Sequence, residues 1–234
     1  MRTTQTTCAL LVALALALLT GIGLVSCGEE PVTADPEEVL ATTSTNMKAL
    51  AGFHFRYELH QPESADKAEG VQSVEGEIDA DGNMQATVQL LAGGTLINVD
   101  FIALSDTHYL KYPISPNWVP LEPEESPLGD LNLATFSIQI LDQIIDPTIP
   151  GAEKRQGKRT YHITGQVTAE DVEAIAGSVS TADRFPTDLW VGTEDSRLYE
   201  VNISGPMTTK EPGGTWRSII LSDLDVAVEI KAPQ

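Results

Sequence analysis

A period-two alternation of apolar and polar residues recurs along most of this chain, and it leaves few architectures open. Phe53, Phe55, Tyr57 and Leu59 alternate with His54, Arg56, Glu58 and His60. Val74, Gly76 and Ile78 alternate with Ser73, Glu75 and Glu77. The turn Asp79-Ala-Asp-Gly-Asn83 then leads into Met84, Ala86, Val88 and Leu90, a hairpin signature. Gly93-Gly94 turns the chain into Ile97, Val99 and Phe101, and the segment from Thr107 to Tyr112 is read as pairing back through Ser105-Asp106. Further strands are predicted at Thr160–Thr164, at Leu189–Val191, around Tyr199, Val201 and Ile203, and over Leu224, Val226, Val228 and Ile230. Most connections are too short for crossovers, so the sheet is expected to be antiparallel, with eight to eleven strands.

Two principal helices interrupt this series. Asp35-Pro36-Glu37-Glu38 is a helix start: a capping aspartate, proline at the first helical position and glutamate two residues on. Val39, Leu40, Thr43, Met47 and Leu50 keep helical spacing, so the helix is predicted to run from Pro36 to Ala51 and to stop at Gly52. After a proline-rich stretch from Pro113 to Pro127, residues Leu131 to Ile145 form a second predicted helix, stopped by Pro147 and apolar around most of its circumference. A short third helix is expected from Thr168 to Ala176, with Asp171 completing the T-x-x-D cap. An alternating sheet has one apolar face to cover, and two principal helices cannot tile one this wide. Either the sheet closes on itself, or it curves into a half-barrel with helices across its mouth and a cavity inside.

The N-terminus reads differently. Arg2 precedes an apolar run from Cys8 to Thr20, short of the ~20 residues a bilayer span needs. Leu24-Val25-Ser26-Cys27 then fits the bacterial lipobox, in which small residues admit a peptidase and the cysteine sulfur receives a diacylglyceryl group. Residues 1–26 are therefore read as a lipoprotein signal peptide, 27–35 as the acylated Cys27 with a short tether, and 36–234 as a single domain. Cys8 would leave with the signal, so Cys27 would have no disulfide partner, which lipidation explains. Eight tether residues reach at most roughly 28 Å, keeping the domain close to the outer side of the cell membrane. Without its first 26 residues the chain carries 13 basic against 34 acidic side chains. Such a surface repels nucleic acid and adsorbs poorly to anionic headgroups, so acyl chains, palmitate among them, must supply attachment.

Enzyme chemistry finds no foothold in the sequence. His54, His60, His108 and His162 are scattered over strands; His54, His60 and His162 lie on the polar side of their alternation and read as solvated. No H-E-x-x-H spacing, G-x-S-x-G elbow, phosphate-binding glycine loop or S-x-x-K motif occurs. Asp79-Ala-Asp-Gly-Asn83 opens like a calcium loop, but Leu90 stands where the twelfth-position glutamate belongs. Asn202-Ile-Ser is a sequon by pattern only. No catalytic residue, metal ligand or cofactor is assigned.

Taken together, the acylated cysteine, the capped first helix, the hairpins and the apolar second helix resemble the LppX/LprAFG lipoproteins. So does the segment Lys158-Arg-Thr-Tyr-His-Ile-Thr-Gly-Gln-Val-Thr-Ala-Glu-Asp-Val, and Asp188-Leu-Trp-Val-Gly with Arg197-Leu-Tyr-Glu-Val is similar to the family's late hairpin. The resemblance covers nearly the whole chain after Cys27. It implies an α+β, LolA-like half-barrel with helices over the concave opening, and a cavity for the acyl chains of lipids or glycolipids. It also implies work beside an exporter in the cell envelope. The chain is taken to be a monomer. On this reading Phe53, Phe55, Tyr57, Val88, Leu90, Val99 and Phe101 line the cavity, and Leu133, Phe136, Ile140 and Ile144 cover it from the second helix. The same residues would also compose a closed hydrophobic core. A carrier is one role for such a fold; a protein-interaction or stress-sensing module of the envelope is another.

Overall fold

A computed structural model describes residues 33–123, 126, 133–177 and 179–233; Cys27 and the segment before it lie outside the described residues. Helix α1 (Pro36–Lys48) starts on Asp35, whose carboxylate accepts from the Glu37 N–H at 2.9 Å, with Pro36 at the first position. It ends at Lys48, before the predicted stop. Gly52 instead opens strand β1 (Gly52–His60) at a close backbone approach, where a Cβ would lie 2.7 Å from the Val226 carbonyl and 2.8 Å from that of Ile78.

β1 is followed by β2 (Gly70–Asp79), β3 (Met84–Ala92), β4 (Thr95–Ala103), β5 (His108–Lys111) and β6 (Val119–Leu121). Then come α2 (Leu133–Gln143), β7 (Ile145–Arg155), β8 (Lys158–Thr168), α3 (Ala169–Ala176), β9 (Arg184–Gly192), β10 (Leu198–Ser204) and β11 (Trp216–Ser222). All eleven strands form one antiparallel, unclosed curved sheet in the order β6-β5-β4-β3-β2-β1-β11-β10-β9-β8-β7. Two meanders, β1–β6 and β7–β11, meet where the first strand pairs with the last. The capping box of α3 is as expected: Thr168 Oγ1 accepts from the Asp171 N–H, and the Asp171 carboxylate accepts from the Thr168 N–H at 2.7 Å.

Other elements also depart from the pattern-based reading, among them β6, which lies inside the proline-rich stretch. Helix α2 ends at Gln143, so Ile144 is not helical; it sits half-buried between α2 and β7, where it occupies the space beside Gly165. The chain then forms strand β7, which Pro147 and Pro150 disguise. Proline is tolerated there because β7 is a sheet edge, with its pairing to β8 shifted at Thr148 and Gly151. Finally, the well-alternating segment from Leu224 to Ile230 is not a strand. Asp223 (φ 47°) and Asp225 (φ 73°) turn it aside, and it crosses the end of the sheet, with the Asp225 N–H donating to the Gly52 carbonyl at 2.9 Å. The true last strand is β11.

Candidate functional site

Cross-strand register arranges the concave face in rows. Phe53, Ile78 and Met84 make the first. Leu221, Phe55, Gly76, Ala86, Phe101 and Leu110 make the second. Gly76 has to be glycine: a Cβ there would lie 2.1 Å from the Gln85 carbonyl oxygen and 2.6 Å from the Ala86 Cα, so β2 and β3 approach too closely at this point for a side chain. The third row runs Val99, Val88, Val74, Tyr57, Ile219, Val201, Leu189, Ile163. In the fourth, Ile97, Leu90 and Val71 lie on one side and Leu59, Arg217, Ile203 and Thr187 on the other. Three intervals of two residues, at ~3.4 Å each, give an apolar run about 20 Å long.

Helix α2 lies across these rows between α1 and α3. Leu133, Phe136, Ser137, Ile140 and Leu141 are buried, leaving an exposed stripe of Thr135, Gln139 and Asp142. The Ser137 hydroxyl donates back to the Leu133 carbonyl at 2.6 Å, which lets a polar residue lie on the buried side. From α1, Leu40 and Met47 join the same cluster, and Lys48 reaches Asp142 at 3.0 Å across the exposed α1–α2 seam. At the other side, Asn46 donates to the carbonyls of Asp195 and Ser196, both at 3.2 Å, fixing the end of α1 on the β9–β10 turn. In that turn Tyr199 Oη donates to the Asp195 carboxylate at 2.6 Å and Lys158 Nζ lies 3.0 Å from it. Burial works against the Asp195 charge, but these two donors and the Arg197 N–H hold its pKa below the ordinary value.

The structure gathers the sequence-derived candidates into one place. Phe53, Phe55, Tyr57, Val88, Val99, Phe101, Leu133, Phe136 and Ile140 are all buried in a single cluster, with Leu90 and Ile144 packed half-buried against it. Phe55, Val88, Phe101, Leu133 and Ile140 have 0% exposure, so each faces neighbouring side chains instead of an open void. Where α1 and α2 meet the sheet, a cleft of about 200 Å³ is walled by Met47, Leu50, Phe53, Ile78 and Ile138, beside the β2–β3 turn. A larger groove on the opposite, outer face, about 400 Å³, is lined by His54, Glu75, Glu77, Gln85, Thr87, Asp100 and Trp118, and its carboxylates exclude hydrocarbon.

Some functional groups escape the alternation. Arg217 occupies an inward position of β11 and is 2% exposed. Its Nη2 donates to Glu211 at 2.6 Å, in the loop between β10 and β11, and the guanidinium is also within hydrogen-bonding reach of the Tyr57 hydroxyl. Burial pushes the Tyr57 pKa up, partly offset by Arg217. Nor are all the histidines simply solvated. The His60 ring stacks on Trp216 at 3.8 Å, and His162 stacks on Trp190 while its Nε2 lies 2.7 Å from Asp188. Among the described residues, no group of three or more histidines, cysteines and carboxylates could hold a metal, and no helix is long and apolar enough to cross a membrane.

With this geometry in view, the likenesses to known proteins are specific. The model of the family described as LppX_LprAFG lipoprotein matches residues 35–230. The lipoarabinomannan carrier protein LprG of Mycobacterium tuberculosis is 27% identical over 121 residues, 50% of each chain, so the match spans half the length of that curated relative. LprG of Mycobacterium bovis matches to the same extent. Among solved structures, LprF from Mycobacterium bovis superposes with a TM-score of 0.62 at 20% identity, over 88% of this chain and 99% of that one. LppX from Mycobacterium tuberculosis does so with a TM-score of 0.57 at 16% identity, over 84% and 98%. At these identities the two structures establish the fold.

Proposed function

The chain belongs to the LppX/LprAFG lipoprotein family, and from that premise we propose that it is a membrane-anchored carrier that takes up the acyl chains of a lipid or glycolipid between its curved sheet and its helix layer. What supports the reading is that the apolar sheet rows and the Leu133, Phe136, Ile140 and Leu141 side chains of α2 bury against one another in one cluster. Lifting α2 would expose a trough about 20 Å long without breaking any sheet pairing. The task needs no bond chemistry. An acyl chain of some 15 carbons faces roughly 12 kcal/mol in water, at about 0.8 kcal/mol per methylene, and an apolar trough removes that barrier. The likeness to LprG, named a lipoarabinomannan carrier, points toward a glycolipid cargo handed on in the cell envelope beside an exporter. Lipid on Cys27 would hold the carrier to the membrane on its extracytoplasmic side, as a monomer.

The test is lipid recovery and exchange. The purified chain should yield co-purified acyl lipid by native mass spectrometry and exchange a fluorescent acyl lipid with vesicles. Phe136→Trp with Ile140→Trp enlarges two buried side chains and should abolish loading; circular dichroism and a thermal midpoint above the assay temperature check that the protein is still folded, since such overpacking costs stability. Absence of both recovery and exchange from the unaltered chain would defeat the carrier reading. One observation favours a second reading, an envelope interaction module on the same fold: the interior residues at 0% exposure are already fully covered. A chain that never loads lipid in this assay is the outcome that reading requires.

A further inference from the structure

The three inner rows of the concave face are almost wholly buried; in the fourth, Arg217, Ile203 and Thr187 are buried too, but Leu59, Val71, Leu90 and Ile97 are only half-buried, so the apolar interior thins on the β1–β4 side of this end. Arg217 lies in that same row, directly across from Leu59. Its Nη2 pairs with Glu211, the two side chains being 3% and 7% exposed, and its Nη1 donates to the Gly205 carbonyl at 3.4 Å. Glu211 is itself held by the Met207 N–H at 2.9 Å. Arg217 Nε has no hydrogen-bond partner although it is buried. A buried guanidinium N–H left unfilled is costly, and such groups in native proteins call for an acceptor.

We infer that Arg217, with the Tyr57 hydroxyl beside it, is a seat for an uncharged acceptor of the cargo, namely the ester carbonyl that joins an acyl chain to its glycerol or sugar. The inference rests on the carrier reading and names the chemistry it selects. Charge decides the class. The guanidinium is already neutralised by Glu211, so the seat offers a donor without net positive charge. A phosphate would bring a second anion beside Glu211 in a water-poor site, whereas an ester carbonyl accepts the free N–H and adds no charge. Position agrees: the acyl chain would run inward past Tyr57 and Val74 along the buried rows, while the headgroup stays at the thinner end.

The probe is a pair of lipids of equal chain length, a fluorescent diacylglycerol and its dialkyl ether counterpart, which lacks the carbonyl. The unaltered full chain should bind the ester about tenfold more tightly, the size expected of one hydrogen bond to a charged donor. The paired variant Arg217→Met with Glu211→Gln removes both charges together and should bind ester and ether alike. Equal affinities in the unaltered chain would overturn the seat and leave the carrier reading standing. Binding of neither lipid would overturn both. Retained ester preference in the paired variant would overturn the assignment to Arg217, and a tighter hold on phosphatidate than on diacylglycerol would overturn the choice of an uncharged acceptor. Should the paired variant fail to fold, Arg217→Lys, which keeps a positive charge against Glu211 but has no Nε–H, should likewise lose the ester preference, and a retained preference would overturn the assignment.

Discussion

Replacing Phe136 by alanine measures whether α2 is a separable lid or an inseparable part of the core. The side chain is 1% exposed, in the first turn of α2. Emptying such a site costs ~3–5 kcal/mol where the surroundings cannot collapse. If α2 stays docked until the whole molecule unfolds, all of that loss appears in global stability, lowering the thermal midpoint by roughly 6–20 °C for a chain of this size. A carrier requires something else: α2 must lift at a cost below that of global unfolding. The penalty is then capped, because once docking costs more than lifting, the lifted form becomes the ground state. We expect Phe136→Ala to lower the midpoint by less than about 6 °C. Its α2 amides should lose hydrogen-exchange protection while those of β1 and β11 keep theirs. Phe55→Ala, at a 0% exposed site within the sheet, should show the full loss and serves as the reference. An equal, full loss at both sites, with α2 amides exchanging only through global unfolding, would refute the reasoning.

Three further outcomes follow from single residues. Asp195 has its folded pKa held below the ordinary value of 3.8, so its contribution is present above that value and is lost as pH falls through the folded pKa. Urea midpoints should therefore decline below about pH 4, and Asp195→Asn should be less stable at neutral pH with a flatter acid limb. Gly76→Ala forces a methyl group against the Gln85 carbonyl and should cost at least ~1–3 kcal/mol by urea unfolding, with a larger loss for valine. Cys27→Ser, motivated by the Leu24-Val25-Ser26-Cys27 pattern, should move the protein from the membrane fraction to the soluble fraction on cell fractionation; unchanged partitioning would remove the lipid anchor.

What could be read from sequence was whatever obeyed a period. Strands β1 to β4 carry alternation over most of their length, broken by the register shift between Val71 and Ser73 and by the apolar pair Phe101-Ile102, and the concave-face residues Phe53 to Phe101 follow from it directly. The Thr168 cap declares α3 by its chemistry. Strand β7 was illegible because its prolines are permitted by an edge position that only the tertiary fold creates. Strand β11 was illegible for the reason that makes it interesting. Arg217 stands where alternation demands an apolar residue, and its partner Glu211 lies in a glycine- and proline-containing loop with no periodic relation to it. The segment from Leu224 to Ile230 misled in the opposite sense: it alternates well, yet two aspartates at positive φ deny it a place in the sheet.

The pairing of β1 with β11 joins residues more than 150 positions apart, as His54 with Ser222. A polypeptide emerging from its N-terminus completes one meander long before the stitching partner of its first strand exists. Until Trp216 to Ser222 arrive, β1 presents a raw border of unpaired amides and carbonyls beside an uncovered greasy flank, an open invitation to aggregate. Maturation of this protein is thus a late, tail-dependent event. Shortening the C-terminal end into β11 would leave two half-built sheets with nothing to sew them together, since that central seam has the longest sequence separation of the strand pairings and the largest loop to close.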